Sequence, residues 1–337
     1  MATYQEIKGR KVQSLSADPP AAIGLGQIWY NTSTNLIKTS VGIGAWTAGA
    51  TMGSGAYLMR GLGIQTAGLS VGGMTVQPGT TTNTVQEYDG STWTAASGNL
   101  NTPRGTVGGW GTTGAAIGVG GEPGSPSTYS NSAEEYDGST WTAITNFPQT
   151  VTGLGCFGTA TAVVTGAGAG PTVPGHNKQT YLWNGGSWST GNAQNTPRNY
   201  AANTAASPGT SGIFTQGNYP PGTSNTENYD GICWSVGGAR NYAAIWSTAS
   251  GANANEALAW GGYTIPGGAL STICESYDGT AWTGTPSLAT GRSGQGGLGT
   301  NAGSLSIGGT PPASPYIPGT ATEQWDLTST VQTITST

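Results

Sequence analysis

An all-β ring of repeated four-stranded sheets, a β-propeller, is predicted for this chain by three observations. A phrase of the form Tyr-Asp-Gly-Ser-Thr-Trp recurs at a period near fifty, four landmarks recur in one order within each period, and no helical apolar period of useful length interrupts them. Such a period with short strand-like segments is the signature of a propeller array.

The phrase begins as Tyr88-Asp89-Gly90-Ser91-Thr92-Trp93 and repeats as Tyr136-Asp137-Gly138-Ser139-Thr140-Trp141. It loosens to Trp183-Asn184-Gly185-Gly186-Ser187-Trp188, returns in Tyr229-Asp230 to Trp234 and Tyr277-Asp278 to Trp282, and fades at Trp325-Asp326. The closing Trp residues at 93, 141, 188, 234 and 282 step by 48, 47, 46 and 48. Between Tyr and Trp, Asp initiates a turn and Gly takes the positive φ that a tight hairpin needs, while the flanking aromatics pack on the neighbouring unit. Each such Asp reads as a turn former. Calcium takes about six to eight oxygens, far more than one carboxylate per turn supplies.

The landmarks run Arg, glycine pair, Tyr-Asp-Gly, Trp. The arginines are Arg60, Arg104, Arg198, Arg240 and Arg292, with Thr152 standing in one unit. The glycines are Gly72-Gly73, Gly120-Gly121, Gly168, Gly217, Gly261-Gly262 and Gly308-Gly309. Short alternating stretches broken by Gly and Pro at this density mean strands and turns throughout.

Residues 1–50 fit the same register as a degenerate first blade, because Trp46 precedes Trp93 by 47 residues. Residues 51–337 then hold six repeats of the same single domain, with Val331 to Ile334 as the last outer strand. Seven four-stranded blades are expected, closing so that no sheet edge is left exposed. Six blades with an N-terminal docking segment is the alternative.

Composition agrees with a folded chain. The 59 glycines and 19 prolines among 337 residues approach a low-complexity share, yet net charge is only −5 and 12 Trp and 14 Tyr recur at a fixed spacing. Charged residues are 7% of the chain, so its surface must be Thr, Ser, Asn, Gln and Gly. A pI near 4.8 without a Lys/Arg cluster argues against nucleic-acid partners. No apolar run approaches the ~20 residues of a membrane span, and Met1 to Arg10 lacks a signal-peptide core. Cys156, Cys233 and Cys274 are odd in number with no CxxC, and read as isolated thiols.

With its Arg, double glycine, Tyr-Asp and Trp in order over residues 55–337, the chain resembles the kelch-repeat family. The resemblance implies four-stranded blades around a central axis. It departs where Gly168-Ala169-Gly170 and Gln216-Gly217 break the double glycine.

The uniform Asp-Gly turns put one tight face on the ring. The longer loops between second and third strands emerge on the other, each with a Pro-Gly: Pro78-Gly79, Pro123-Gly124, Pro174-Gly175, Pro221-Gly222, Pro266-Gly267 and Pro318-Gly319. Beyond that shared turn they diverge, and they carry the candidate binding residues Tyr129, His176, Tyr219, Tyr263 and Tyr316. Divergent loops on a rigid scaffold are the usual place for recognition, and Tyr suits protein or glycan contact. Alternatively, these side chains only brace their own loops.

Catalysis is not expected, and no cofactor or metal is. His176 is the only histidine, too few for a multi-His metal centre. The Glu residues before Tyr, such as Glu87 and Glu135, sit in separate blades, which disfavours a glycosidase carboxylate pair. A carbohydrate-active propeller of sialidase type would need Arg104, Arg198, Arg240 and Arg292 to converge. Their place in the repeat suggests instead a structural role, bonding carbonyls between blades.

Finally, Gly26-Gln27-Ile28-Trp29-Tyr30-Asn31-Thr32-Ser33-Thr34-Asn35-Leu36-Ile37-Lys38 is similar to a segment common in tail-fibre and other virion proteins of bacteriophages, marine ones especially. That resemblance implies a non-enzymatic virion structural protein, assembled in the bacterial cytoplasm and acting in capsid decoration or cementing, or in host attachment. Its expected partners are other capsid or tail proteins, host-surface glycans and further copies of itself, without membrane insertion. An adaptor for a protein partner is a further alternative.

Overall fold

A computed structural model describes residues 12–19, 27–76, 80–124, 128–171, 177–204, 208–218, 222–311 and 318–335. The chain divides into two compact units, Trp46–Trp325 and a smaller one of Met1–Ala45 with Asp326–Thr337. The larger unit is an all-β propeller of six four-stranded antiparallel blades. Blade 2 shows the pattern, with strands Gly108–Gly111, Ala116–Val119, Ala133–Tyr136 and Trp141–Ala143 paired in that order. Blade 1 runs from Arg60–Ile64 to Trp93–Ala95, blade 3 from Thr152–Thr159 to Trp188–Gly191, blade 4 from Ala202–Asn203 to Trp234–Gly237, and blade 5 from Thr248–Asn253 to Trp282–Thr285.

Six blades correct the expectation of seven. Blade 6 takes Gly296–Gly299, Gly303–Ile307 and the start of Thr322–Thr333, and its outer strand is the end of Leu36–Ala48. Trp46 is therefore the closing Trp of the last blade rather than of a first one. Its ring lies 5.6 Å from Trp325, as Trp93 lies 5.0 Å from Tyr88 and Trp141 5.1 Å from Tyr136. Blade 6 neighbours blade 1 round the ring, so a strand lent to it falls one period before Trp93. Spacing cannot separate that strand from a blade of its own. Nor do Val331 to Ile334 form the last outer strand, since the Ile334 N–H donates to the Ile37 carbonyl (2.9 Å) inside the smaller unit.

In the smaller unit Gln13–Leu15 runs parallel to Ile28–Asn31, which forms a hairpin with Leu36 to Thr39. Asn31 closes that hairpin by accepting from the Ser33 and Thr34 N–H groups, both at 3.0 Å. Asp18 accepts from Lys38 Nζ (2.6 Å), Asn31 Nδ2 (2.6 Å) and Trp29 Nε1 (3.1 Å), and the bond from Lys38 leads the causes that hold its carboxyl below the usual range. Residues Gln27 to Lys38 make this hairpin.

Within each phrase the turn is built as its sequence dictates. Asp89 Oδ1 accepts from the backbone N–H groups of Thr92 (2.7 Å) and Ser91 (2.8 Å), and Gly90 takes φ 96°. Asp137, Asn184, Asp230 and Asp278 repeat the arrangement with the two N–H groups that follow each turn glycine. These bonds, that from Thr92 first, hold the Asp89 carboxyl well below its ordinary range. The carboxylates thus serve their own turns.

The core lies in the clefts between blades. Leu62, Leu69, Val71 and Val85 of blade 1 pack on Val107, Ala116, Tyr136 and Trp141 of blade 2. Phe157 and Val164 of blade 3 pack on Phe214, Tyr229 and Trp234 of blade 4. Tyr88 and Trp93 of blade 1 meet Leu298, Leu305 and Ile307 of blade 6, which seals the ring. The residue that opens each phrase packs on the Trp that closes it in the later blades too: Trp183 lies 5.0 Å from Trp188, Tyr229 4.9 Å from Trp234 and Tyr277 4.8 Å from Trp282.

The glycine pair joins one blade to the next. The N–H of its second member donates to a carbonyl of the following blade: Gly73 to Arg104 (2.9 Å), Gly121 to Val151 (2.9 Å), Gly168 to Arg198 (2.8 Å), Gly217 to Ala244 (3.4 Å), Gly262 to Arg292 (2.8 Å) and Gly309 to Ala56 (2.9 Å). Its first member sits near φ 60° with no room for a Cβ: at Gly72 that atom would come 2.5 Å from the Arg104 carbonyl oxygen. Gln216 fills this position in blade 4 at φ 55° and turns its side chain to use, accepting from Arg240 Nη1 (2.7 Å) and Ser247 Oγ (2.6 Å).

Candidate functional site

The acceptors of those inter-blade bonds define the true arginine position of the repeat: Ala56, Arg104, Val151, Arg198, Ala244 and Arg292. Arg60 and Arg240 do not occupy it, and Val151 rather than Thr152 stands there in blade 3. The steps of 44, 42 and 52 that Arg60 and Arg240 make with their neighbours already depart from the period.

Where arginine is present it is buried in an ion pair with the second residue of the third strand. Arg198 Nη2 meets Glu227 at 2.6 Å and Arg292 Nη2 meets Glu323 at 2.6 Å; Arg104 pairs with Glu134 in the same way. Arg198 Nη1 also donates to the carbonyls of Gln216 (3.1 Å) and Asn225 (2.9 Å). These acceptors belong to the arginine's own blade, which corrects the expected bonding between blades. Arg240, four residues early, still reaches Glu275 through Nε at 2.7 Å and lies 4.5 Å from the Tyr242 ring. Glu87 and Glu135, the carboxylates singled out from the sequence, lie one residue later and are only half-buried.

Blades 1 and 3 lack the arginine, and they lack the glutamate too. Gln86 replaces it in blade 1, where it bonds Ser54, and Tyr181 replaces it in blade 3. There Val151, Tyr181 and Phe147 form an apolar cluster, with the two rings 4.9 Å apart. Phe147 has structural equivalents in Leu100 and Gln194, each donating its N–H to the preceding loop. Gln194 is buried with both side-chain amide atoms unpartnered. Gln194→Leu is therefore expected to raise stability by about 1–3 kcal/mol, by removing the desolvation penalty of that amide. A rise in the urea midpoint at unchanged m would show it.

A second ring surrounds the axis where each inner strand begins. Leu58, Thr106, Gly153, Tyr200, Trp246 and Gly294 share a left-handed backbone, with φ between 51° and 63°. The Thr106 N–H donates to Leu58 (2.8 Å), Tyr200 to Gly153 (2.9 Å), Gly294 to Trp246 (2.9 Å) and Leu58 to Gly294 (2.6 Å). Such φ values are unusual for Leu, Thr, Tyr and Trp and persist only where the surroundings enforce them.

This ring and the residues after each glycine pair form a variable face. Tyr263 follows Gly261-Gly262, is 37% exposed, and lies 6.3 Å from Trp246, which in turn lies 6.2 Å from Tyr200. Glu122 follows Gly120-Gly121, is buried, and accepts from Thr152 Oγ1 (3.1 Å) and the Tyr200 hydroxyl (3.3 Å). Burial pushes its carboxyl up, with those two bonds opposing. Sequence reading missed Glu122, Tyr200 and Trp246. Glu122 directly follows a glycine pair, but Tyr200 and Trp246 precede Gly217 and Gly262 by 17 and 16 residues where the other blades have 15, so no fixed spacing marks them.

Of the loop candidates, Tyr129 lies half-buried in blade 2 and Tyr263 joins this face in blade 5. His176, Tyr219 and Tyr316 lie outside the described residues, as do Pro78-Gly79, Pro174-Gly175 and Pro221. Gly124 has φ 81°, as the second central position of a type II turn requires.

The face opens into a narrow axial cavity of about 80 Å³. An apolar cavity of roughly 150 Å³ holds one benzene, so a sugar ring does not fit. Among the described residues, no group of His, Cys, Asp and Glu is placed to hold a metal ion, and no helix is long and apolar enough to cross a membrane. The three cysteines are free thiols; Cys233 is exposed, while burial pushes the Cys156 thiol up to about 12 and that of Cys274 up to about 11. No family model matches the chain, and no curated protein matches it significantly.

Proposed function

We propose that this chain is a non-enzymatic structural protein of a bacteriophage virion, a kelch-like propeller displayed on capsid or tail. It acts by contact, in decoration and cementing or in host-surface attachment. The observation that carries the contact reading is the division of labour among its polar residues. The arginines of blades 2, 4, 5 and 6 are engaged in buried ion pairs, and the phrase carboxylates of blades 1, 2, 4 and 5 hold their own turns. What varies from blade to blade is the face bearing Tyr200, Trp246 and Tyr263. Ion-paired arginines are also not free to form the convergent cluster of a sialidase-type site.

The virion assignment rests on the likeness of the sequence from Gly26 to Lys38 to phage segments. A surface with 7% charged residues suits it, because many weak neutral contacts gain strength when displayed in multiple copies. Purified particles of the virus encoding the chain test it, by mass spectrometry and cryo-EM. The expected result is the chain in the particle, as a six-bladed ring on the capsid lattice or the tail. Its absence from purified particles sinks the proposal.

A further inference from the structure

Arg60 stands apart from the four buried arginines and is itself half-buried. It projects from the inner strand of blade 1, where Nε donates to the Gly109 carbonyl (2.9 Å), Nη1 to Asn203 Oδ1 (3.0 Å) and Nη2 to the Cys156 carbonyl (2.9 Å). One guanidinium thus ties the inner strands of blades 2, 3 and 4 across the axis. All four arginines of the repeat interior have a glutamate, but Arg60 forms no ion pair among the described residues. Among the described residues it is the only charged one lining the axial cavity, whose polar walls are hydroxyls, amides and backbone, as at Ser247, Thr248 and Gln295.

A guanidinium stays charged, and a charge taken from water without a counter-charge is costly. Neutral acceptors occupy three of its five N–H groups, leaving two donors and the net charge uncompensated. The cavity beside it has room for an ion and a little water. It also opens at the face that begins the inner strands, so an ion can reach it.

We propose that the axial cavity binds a small monovalent inorganic anion, chloride in the first instance, against the Arg60 guanidinium. The anion supplies the counter-charge that each of the four buried arginines receives from glutamate. Size sets the selectivity: halides enter, and polyhydroxylated carboxylates such as gluconate do not.

The test is thermal unfolding of the full chain in sodium chloride against sodium gluconate at one ionic strength. Stability is expected to rise with chloride and not with gluconate, the folding constant climbing about fivefold for a tenfold rise in chloride starting at half filling and approaching tenfold per tenfold only as the site nears saturation. Arg60→Met is expected to abolish that dependence. Equal chloride dependence in Arg60→Met, or none in the unchanged protein, overturns the proposal. Should Arg60→Met fail to fold, bromide-soaked crystals of the unchanged protein decide: an anomalous peak beside Arg60 supports the site, and a featureless cavity refutes it.

Discussion

Arg198→Ala is expected to lower stability by about 3–5 kcal/mol, because it strands Glu227 in the interior. Glu227 is 1% exposed, and its Oε2 accepts from the Asn195 backbone N–H (2.7 Å) and side-chain amide (3.0 Å). Those bonds fix the carboxylate where water cannot replace the lost guanidinium. The fold carries its own control for this change. Blade 3 meets the same architectural need with Val151, Tyr181 and Phe147. The triple variant Gln194→Phe, Arg198→Val, Glu227→Tyr transplants that solution into blade 4, and is expected to recover most of the lost stability. Well-packed apolar groups often equal or surpass a buried ion pair. Urea unfolding of the single and triple variants measures both effects. If the triple variant is no more stable than Arg198→Ala, the two arrangements are not interchangeable.

Trp46→Ala is expected to cost about 3 kcal/mol, the low end for a Trp truncation because the ring is only half-buried. Its effect should also be local first. Trp46 packs on Trp325 and, at 5.1 Å, on Trp260 of blade 5, so losing it loosens the outer strand of blade 6. Hydrogen exchange should accelerate at Gly49, whose N–H donates to Thr322 (2.8 Å), before it changes in blades 2 and 3. Uniform acceleration across all six blades would mean that the ring opens only as a whole.

The sequence revealed the propeller and its turns because both depend on side-chain identity. Asp-Gly fixes the hairpin and the aromatic pair marks the outer strands, so each repeats visibly. Three features were hidden for physical reasons. The count of blades depends on which end supplies the outer strand beside Trp325, and Trp46 satisfies the period under either topology. The ion pairs were half-seen: the repeated Arg was plain, but carbonyls rather than a carboxylate were expected as its partners, and the blade 2 carboxylate singled out, Glu135, lies one residue past Glu134, on the opposite face of the strand. The left-handed ring was invisible because backbone geometry, rather than residue type, is shared by Leu58, Thr106, Gly153, Tyr200, Trp246 and Gly294. A variable position with a fixed conformation leaves no motif. For the same reason the candidate face emerged only from the three-dimensional arrangement.

The outer strand of blade 6 also sets a timetable for biosynthesis. Trp46 leaves the ribosome long before Trp325, and at ~5–20 residues per second the interval is roughly 15–60 s. Throughout it, the apolar flank of Trp46 has no sheet to join. Blades 1 to 5 can assemble meanwhile, each on its predecessor, but the circle cannot lock until the final blade is released. Nascent chains crowded on one message could therefore trade these early strands, and a partner that shields the segment around Trp46 during translation would favour closure within a single chain.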